Sequence, residues 1–367
     1  MPNPMRYLVV PSKETEKWRA FLISNDWLER GYNIQKENNE RALPLSDFFP
    51  EIIPPPLSQF KIIEKVVSAP IPSNYLGFLE QKISKNILNK YNQYWPQSFD
   101  QIGEIIIIKI DENIEKYANE IAEALLLQNN NSTRVFQDLG VKGNFRIRKL
   151  KLIGGSKELG GETKIKENGI DFIVDPTKGY YSPRLATERL ETLECAKILK
   201  NKLGRGLNVC DAYAGFGPAL MPLLNEKGLV SHILANDLNP QVSLILEKNL
   251  IKNNKEKSSI NLKCEDAQKL ILDVQNKGFF DLLLVNIPHS TLDHLPFLIE
   301  LLNLKTTAVL RAWCIIESKN IDKIKKQIKK LFNSLNYSIS KIIVEPTRTY
   351  SPTQVYTKIE IWTNDSS

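Results

Sequence analysis

Val209-Cys-Asp-Ala-Tyr-Ala-Gly-Phe-Gly-Pro218 is the stretch that decides the fold of this chain. The apolar residues at its start read as a short buried strand, and Asp211 stands at the carboxyl end of that strand. A loop with Gly215 and Gly217 follows, and then the apolar beginning of a helix. Parallel α/β sheets bind small ligands where strands end in such loops, and glycine lets the backbone approach a ligand closely. The stretch therefore predicts a parallel sheet with a small-molecule site at this strand end.

A second predicted strand, residues 233–237, ends in Asp237 about twenty residues further on, where an acid suits the two hydroxyls of a ribose. The third glycine of a pyrophosphate-binding loop is missing, and Pro218 follows the second glycine. A nucleoside cofactor without a pyrophosphate therefore fits better than a dinucleotide, and we expect S-adenosylmethionine (AdoMet). Ala214 in the first loop and Leu238 after the second strand are expected to contact this cofactor.

Two further predicted strands complete the cofactor side of the site. The third, residues 260–263, precedes Asp266 and Ala267; the carboxylate could accept a hydrogen bond from the adenine amino group, and the alanine could cover the ring. The fourth, residues 280–285, ends at Asn286, whose side chain would lie over the reactive end of the cofactor. Each polar residue alone could instead cap a helix, but their recurrence at four strand ends favours a cofactor site.

Length and composition set the outer bounds. The 367 residues are enough for two or three domains. No apolar stretch of roughly eighteen residues, as a membrane span requires, occurs, and the start of the chain lacks the apolar core of a signal peptide. The four cysteines show no paired spacing, so we expect a cytoplasmic protein with no metal site and no disulfide. The net charge of +7 permits a nucleic-acid partner.

The chain divides into three predicted parts. The first, residues 1–72, has a strand at 6–10, a helix at 14–25, a return strand at 41–44 and a short apolar helix at 59–66, before a proline-bearing linker at 68–74. The second, an α/β domain at residues 73–176, has strands at 104–110, 144–153 and 170–175 and a helix at 114–127. The third, residues 177–367, holds the AdoMet-type sheet and ends in an antiparallel pair at 339–362.

One motif stands just before the first strand of this sheet, where a substrate base could enter. It is Gly179-Tyr-Tyr-Ser-Pro-Arg-Leu-Ala-Thr-Glu-Arg189, and its Pro183 predicts the first turn of a helix. Arg184 and Glu188 are then four residues apart on one face, and the plainest interpretation of the two is a surface ion pair. A place beside the active site is the alternative interpretation.

Together with four other motifs, this run resembles the archaeal and eukaryotic tRNA (guanine-37-N1)-methyltransferases. The other motifs are Gly143-Asn-Phe-Arg-Ile-Arg148, Asp211-Ala-Tyr-Ala-Gly-Phe-Gly-Pro218, Asn236-Asp-Leu-Asn-Pro240 and Asn286-Ile-Pro-His-Ser290. The resemblance extends over most of the chain. It implies a class I, Rossmann-like methyltransferase domain with two smaller α/β N-terminal domains, AdoMet as cofactor, tRNA as partner, and a monomer that does not associate with membranes.

The chemistry of this reaction asks for particular side chains. N1 of guanine carries a proton, so its methylation needs a base, and loss of the proton places negative charge on O6. By the resemblance, Glu188 is the base, Arg146 is the partner of O6, and Asn286 holds the base edge beside the methyl group. Further contacts that the resemblance implies are Arg148, Tyr180, Pro288 and Ser290 on the substrate side, and Tyr180 and Arg184 shaping the cofactor pocket.

A basic run close to the first of these motifs suggests where the tRNA is held. We expect the two N-terminal domains to bind most of the tRNA, with this run contributing. Arg146 and Arg148 share one face of their predicted strand, and Lys149 and Lys151 share the other, because alternate strand residues point the same way. Lys142 precedes the strand.

Three other functions stay open at this point. The related aminocarboxypropyl transferase of wybutosine synthesis also uses AdoMet, but its fourth-strand motif usually departs from the Asn-x-Pro present here as Asn286-Ile-Pro288. A bifunctional relative also methylates a tricyclic guanosine derivative at the same tRNA position. The third is a non-catalytic RNA-binding module that kept an inactive AdoMet fold, against which the intact acids at the strand ends argue.

Overall fold

The computed structural model describes residues 4–29, 32–66, 72, 74–142, 147–303 and 305–364. They fall into two compact units. The first comprises the described residues of Met1–Trp95 and Asn113–Asn130, and the second those of Pro96–Glu112 and Asn131–Ser367. The predicted division into three domains, with boundaries after residues 72 and 176, stays a prediction.

The first unit contains a four-stranded antiparallel sheet in the order β2-β3-β1-β4. Its elements are β1 (Pro4–Pro11), helix α1 (Thr15–Ser24), β2 (Gln35–Glu37), β3 (Glu40–Pro44) and β4 (Lys61–Val66). Leu8 and Val10 alternate along β1 and therefore face the same side of the sheet. Trp18 and Leu22, one turn apart on α1, cover that side and form its core with them.

Residues 59–66 form mainly a strand, so the helix predicted there was wrong. β4 pairs antiparallel with β1 along its whole length, and only Leu57–Gln59 makes a helical turn. Ile62, Ile63 and Val66 are β-branched, which favours a pleated strand. An apolar run this short has no decisive period, and the hydrogen bonds available along the edge of β1 decide its structure.

Short helices complete the first unit. They are α2 (Tyr75–Leu79), α3 (Lys85–Lys90) and α4 (Ala118–Gln128). The side chain of Asn74 caps α2 by accepting a hydrogen bond of 3.1 Å from the Gly77 amide. The helix predicted at 114–127 is present, although its first part is a 3-10 helix, Glu112–Tyr117. The predicted linker at 68–74 lies mostly outside the described residues.

The second unit contains a seven-stranded sheet in the order β13-β12-β11-β14-β15-β17-β16. Its elements are α5 (Ala186–Leu203), β11 (Leu207–Asp211), α6 (Leu220–Asn225), β12 (Val230–Asn236), α7 (Pro240–Asn253), β13 (Ser259–Lys263), β14 (Leu282–Val285), α8 (Thr291–Leu298), β15 (Val309–Glu317), α9 (Ile321–Ser334), β16 (Ile339–Thr349) and β17 (Gln354–Thr363). Strands β11 to β15 are parallel, and β17 runs antiparallel to both of its neighbours. The strand order reverses between β11 and β14, and ligands bind at such a switch point.

A smaller sheet and a hairpin pack into the same unit. They consist of β5 (Asp100–Ile102), β6 (Ile105–Ile108), β7 (Arg134–Lys142) and β8 (Ile147–Gly155), and of β9 (Thr163–Glu167) with β10 (Ile170–Val174). Ile105 and Phe172 share one hydrophobic core with Val209 of β11. Burial of these apolar side chains positions the small sheet and the hairpin on one flank of the large sheet. No helix in the described ranges combines the length and the apolar character that crossing a membrane requires.

Candidate active site

Four strand ends bring the predicted polar residues to one edge of the large sheet. Asp211 is the last residue of β11, and Asn286 directly follows β14. Asp237 directly follows β12, and Asp266 stands at the start of the turn after β13. Because these strands are parallel, their carboxyl ends meet at the same edge, beside the switch point. The sequence therefore predicted correctly that these residues stand at four successive strand ends.

The loop after β11 is held against the end of β12. The amide of Ala214 donates to the carbonyl of Asn236 at 2.8 Å, and the amide of Gly215 donates to Oδ2 of Asp237 at 2.9 Å. Gly215 has φ +56°, and a Cβ at this position would meet no atom within 4 Å. Glycine is needed there for its left-handed backbone, and the loop leaves open space beside Asp237. These features fit a nucleoside whose ribose approaches that carboxylate.

Gly217 has a packing role in the structure. Its φ is +82°, and a Cβ built on it would lie 2.7 Å from Cδ1 of Leu246 and 2.9 Å from Cε of Met221. A side chain at this position would therefore push α7 and α6 away from the loop. Its expected contact with the cofactor stays a prediction.

Asn236 joins three strand-end loops, a role that the sequence reasoning missed. Its side-chain amide donates to the carbonyls of Ala212 at 3.1 Å and Glu265 at 3.0 Å, and its Oδ1 accepts from the Glu265 amide at 3.1 Å. The side chain is 1% exposed. Because a buried amide must find hydrogen-bond partners, a polar Asn at the end of an apolar strand could have indicated this role.

Two carboxyl groups face this loop, the buried Asp211 and the half-buried Asp237. Burial raises the pKa of Asp211 to about 7; the Tyr213 amide, which donates to it, opposes the rise, and the negative charge of Asp237 adds to it. Burial also raises the pKa of Asp237, opposed by the amides of Asn239 and Gly215 that donate to its carboxylate. Both groups are acids whose ionised form a bound cation would stabilise.

We expect the preference for AdoMet over S-adenosylhomocysteine to increase between pH 6 and pH 8. With a pKa of about 7, Asp211 is mostly protonated at the lower pH and mostly ionised at the higher one. The sulfonium of AdoMet favours the ionised carboxylate, and S-adenosylhomocysteine lacks that charge. The ratio of the two dissociation constants, measured by calorimetry, should change by up to about tenfold.

The control for this prediction is Asp211→Asn, which keeps the size of the side chain and removes its titration. In this variant the ratio of the two dissociation constants should stay flat over the same pH range. A wild-type ratio that does not change with pH would contradict the prediction and place the sulfonium away from Asp211.

A pocket opens above the ends of β11 and β14. Its lining includes Glu188 and Asn286 of the predicted site, and two aromatic residues that the sequence reasoning missed, Trp313 and Tyr356. The hydroxyl of Tyr356 donates to Oδ1 of Asn286 at 3.3 Å. The indole N–H of Trp313 is buried without a hydrogen-bond partner among the described residues. Both aromatics come from the last strands of the sheet, where only tertiary structure brings them to the pocket.

The first turns of α5 hold Glu188 at this pocket. Ser182 caps the turn that Pro183 begins, and its Oγ accepts from the Arg184 amide at 3.3 Å. Arg189, next to Glu188, makes a buried bidentate ion pair with Glu167 of β9 at 2.7 and 2.6 Å. Two parallel charge-assisted hydrogen bonds fix the relative position of the two side chains and also add to the strength of the pair. The β9–β10 hairpin therefore determines where the predicted base stands.

Arg184 pairs with Asp100 and not with Glu188. The Arg184 guanidinium donates to Oδ1 of Asp100 at 2.6 Å, and that of Arg148 donates to Oδ2 at 3.0 Å. The Arg148 guanidinium also lies 5.9 Å from the ring centroid of Tyr180. The surface ion pair suggested by the spacing is therefore absent, because Arg184 lies in a 3-10 turn before α5 begins. Asp100, missed by the sequence reasoning, joins two of the predicted site residues, Arg148 and Arg184.

The other predicted site residues have different positions and exposures in the structure. Asp266 caps the turn after β13 by accepting from the Gln268 amide at 3.0 Å, and Ala267 is buried. Leu238 is 51% exposed beside Asp237, and Pro288 and Ser290 lie in the loop after Asn286. Arg146, assigned to O6 of guanine, lies outside the described residues, as does the segment 143–146. The ligand contacts of all these residues stay predictions.

Comparison with known proteins decides the family. Residues 163–340 match the TRM5/TYW2 methyltransferase domain, and residues 79–158 match the TYW2 N-terminal domain. The tRNA (guanine(37)-N(1))-methyltransferase Trm5b of Pyrococcus abyssi is 31% identical over 291 residues, which are 78% of this chain and 78% of that protein. The chain belongs to the tRNA (guanine(37)-N(1))-methyltransferase family. The resemblance carried by the sequence motifs is thereby confirmed.

Solved structures of this family agree with the fold. The crystal structure of Trm5b from Pyrococcus abyssi matches with a TM-score of 0.70 at 26% identity, covering 98% of this chain and 99% of that one. A structure of aTrm5 in complex with tRNALeu matches with a TM-score of 0.68 at 25% identity, covering the same shares of the two chains. The predicted Rossmann-like methyltransferase fold, with further α/β elements before it, is confirmed.

Proposed function

We propose that this protein transfers the methyl group of AdoMet to N1 of guanosine 37 in tRNA, next to the anticodon. The observation that carries the proposal is the pocket that Glu188 and Asn286 line together with Asp211, the acid at the end of β11 in a methyltransferase sheet. Family membership supports the reaction, since the Pyrococcus abyssi relative carries this activity in its name. AdoMet supplies an electrophilic methyl group and needs no metal to do so.

The residues of the pocket fit the two demands of the reaction. Glu188 would take the proton from N1, as a general base must do before N1 can attack the methyl group. Asn286, oriented by the hydrogen bond from the Tyr356 hydroxyl, would hold the edge of the guanine. The buried pair of Arg189 and Glu167 would keep Glu188 in place, and correct placement supplies much of the rate.

The basic side chains near the pocket would stabilise the negative charge that develops on O6 of guanine. Arg146 is the residue that the family resemblance assigns to this role. Arg148 and Arg184, held on Asp100, would keep the surroundings positive and shape the substrate side with Tyr180. The target base must leave its stack to reach the pocket, so an RNA substrate needs further contacts outside it.

We expect the double substitution Lys149→Gln and Lys151→Gln to weaken tRNA binding without affecting AdoMet binding. Both lysines are exposed on β8, on the face opposite Leu150 and Leu152, which pack against the core. If both contact phosphates, the slope of log affinity against log salt should fall by about 1.4 to 1.8. Filter binding at several salt concentrations measures this slope.

The control for the lysine pair is the substitution of Lys326 and Lys329 by Gln on α9, which removes the same charge from another exposed surface. This control should leave the slope close to that of the wild type. Equal slopes for the β8 variant and the wild type would show that these lysines do not contact the tRNA.

Nucleoside mass spectrometry tests the proposed reaction directly. A tRNA transcript with guanosine 37 is incubated with the protein and AdoMet, and a transcript with adenosine 37 is the control. The expected product is 1-methylguanosine, formed only from the first transcript. An aminocarboxypropyl nucleoside would instead indicate the wybutosine-pathway transferase, and AdoMet or tRNA binding without any product would indicate a non-catalytic module.

The same assay separates the bifunctional alternative. A tRNA that carries the tricyclic guanosine derivative would gain a second methyl group only if the protein has both activities. Action as a monomer and a cytoplasmic location are also part of the proposal; light scattering of the protein with and without tRNA tests the first.

A further inference from the structure

The hairpin of β16 and β17 ends beside the loop that carries Asn286. On one side, the Tyr356 hydroxyl donates to Asn286. On the other, the ring of Tyr350 meets the ring of His289 edge to face, with centroids 5.6 Å apart and planes at 76°. The hairpin therefore contacts this loop at two points, and its tip belongs to the surroundings of the pocket.

A bulge in the hairpin turns Arg348 toward Tyr356. The register shifts between Pro346 and Arg348, so that Arg348 pairs with Tyr356, and Thr347 Oγ1 donates to the Tyr356 carbonyl at 3.2 Å. The guanidinium lies 4.2 Å from the centroid of the Tyr356 ring. Bulges commonly redirect a side chain next to a site, and this one stacks a cation on a residue that lines the pocket.

The guanidinium of Arg348 has no carboxylate partner in the described parts of the chain. Arg148, Arg184 and Arg189 are each paired with an acid in the same unit. A guanidinium stacked on an aromatic ring keeps its in-plane N–H groups available. Their fork geometry matches the oxygens of a phosphate, so Arg348 is a cation placed for an anionic ligand.

Tyr350, two residues after Arg348 in the chain, adds an exposed aromatic surface to the tip of the hairpin. Its side chain is 52% exposed, although the ring already contacts His289. Proteins bind single-stranded RNA with exposed aromatic rings and nearby arginines, because bases stack on the ring and the arginine contacts the backbone. The hairpin tip offers both, with an arginine that has no carboxylate partner among the described residues.

We propose that Arg348 binds a backbone phosphate of the nucleotide adjoining the target guanosine, and that Tyr350 stacks on the base of that nucleotide. This inference rests on the proposed function. A base that leaves its stack brings its flanking phosphodiester to the edge of the pocket and uncovers the neighbouring base. The pocket-lining Tyr356, in contact with Arg348, and the Asn286 loop, in contact with Tyr350, define that edge.

Steady-state kinetics and salt-dependent binding of full-length variants test the proposal. Arg348→Gln should raise KM for tRNA about five- to twentyfold and lower the slope of log affinity against log salt by about 0.7, the value for one phosphate contact in a single strand. Tyr350→Ala should raise KM about five- to fiftyfold without changing that slope. Tyr350→Phe should stay close to the wild type, since stacking needs the ring and the substitution removes only the 3.5 Å contact of the hydroxyl with Nε2 of His289. The dissociation constant of AdoMet should be unchanged in all three.

The matched control is Lys329→Gln on α9, which loses one exposed charge elsewhere and should keep the wild-type KM.

A wild-type salt slope in Arg348→Gln would overturn the phosphate contact. Equal impairment of Tyr350→Phe and Tyr350→Ala would overturn the stacking. A loss of kcat in Arg348→Gln with KM and slope unchanged would show that Arg348 acts only through Tyr356 on Asn286. If the wild-type protein bound tRNA but formed no 1-methylguanosine, the proposed reaction would be contradicted. The salt-dependent binding experiment would still test the contacts of Arg348 and Tyr350.

Discussion

Glu188→Gln should lower the single-turnover rate of methylation about 10²- to 10⁴-fold, the range typical for loss of a general base. The amide keeps the shape and hydrogen bonding of the side chain but cannot accept the proton of N1. The loss belongs to the transition state, so the affinities for AdoMet and for tRNA should change little. The remaining activity should increase with pH, because solvent hydroxide takes over part of the deprotonation.

The structure provides a matched control for this variant on the same helix. Glu194→Gln changes an exposed carboxylate whose one ion pair among the described residues is with Lys197, and its rate should equal that of the wild type. A near-wild-type rate for Glu188→Gln across the pH range would exclude Glu188 as the base and assign the proton to water or another pocket residue. If rate and thermal stability fell together, Glu188 would be a structural residue of α5.

The second large effect is expected at Asp237. Asp237→Ala should raise the dissociation constant of AdoMet about ten- to a hundredfold, since it removes a charge-assisted hydrogen bond to the ribose worth about 1.5–3 kcal/mol. The same substitution also removes the acceptor of the Gly215 and Asn239 amides. Part of the loss therefore comes from a less ordered loop.

Asp237→Asn separates the two contributions. Its side-chain oxygen can still accept one of the backbone amides, while the negative charge is gone. We expect an AdoMet affinity between those of the wild type and Asp237→Ala, measured by calorimetry, and unchanged affinity in Asp322→Asn, an exposed acid on α9. Wild-type affinity in a folded Asp237→Ala would show that the ribose binds elsewhere.

Local sequence patterns predicted the structure correctly where a single segment contains all the residues that determine it. The run from Val209 to Pro218 predicted a strand, an acid and a glycine loop, and the structure has all three in that order. The helix predicted for the apolar run at 59–66 was wrong, because the structure of this run depends on pairing with the edge of β1. That strand lies far away in the chain. A short apolar segment adopts the conformation that its distant partner offers.

The sequence by itself determined four strands of the large sheet, the polar residues at their ends and, through its motifs, the family. Tertiary structure alone decided which distant residues complete the site. Asp100 receives Arg148 and Arg184, Glu167 holds Arg189, and Arg348 lies on Tyr356. The reason is physical: buried or stacked charges need partners of fixed geometry. Separate sheets that pack around a common core bring those partners together. The partners lie so far apart in the sequence that no local residue pattern predicts their contacts.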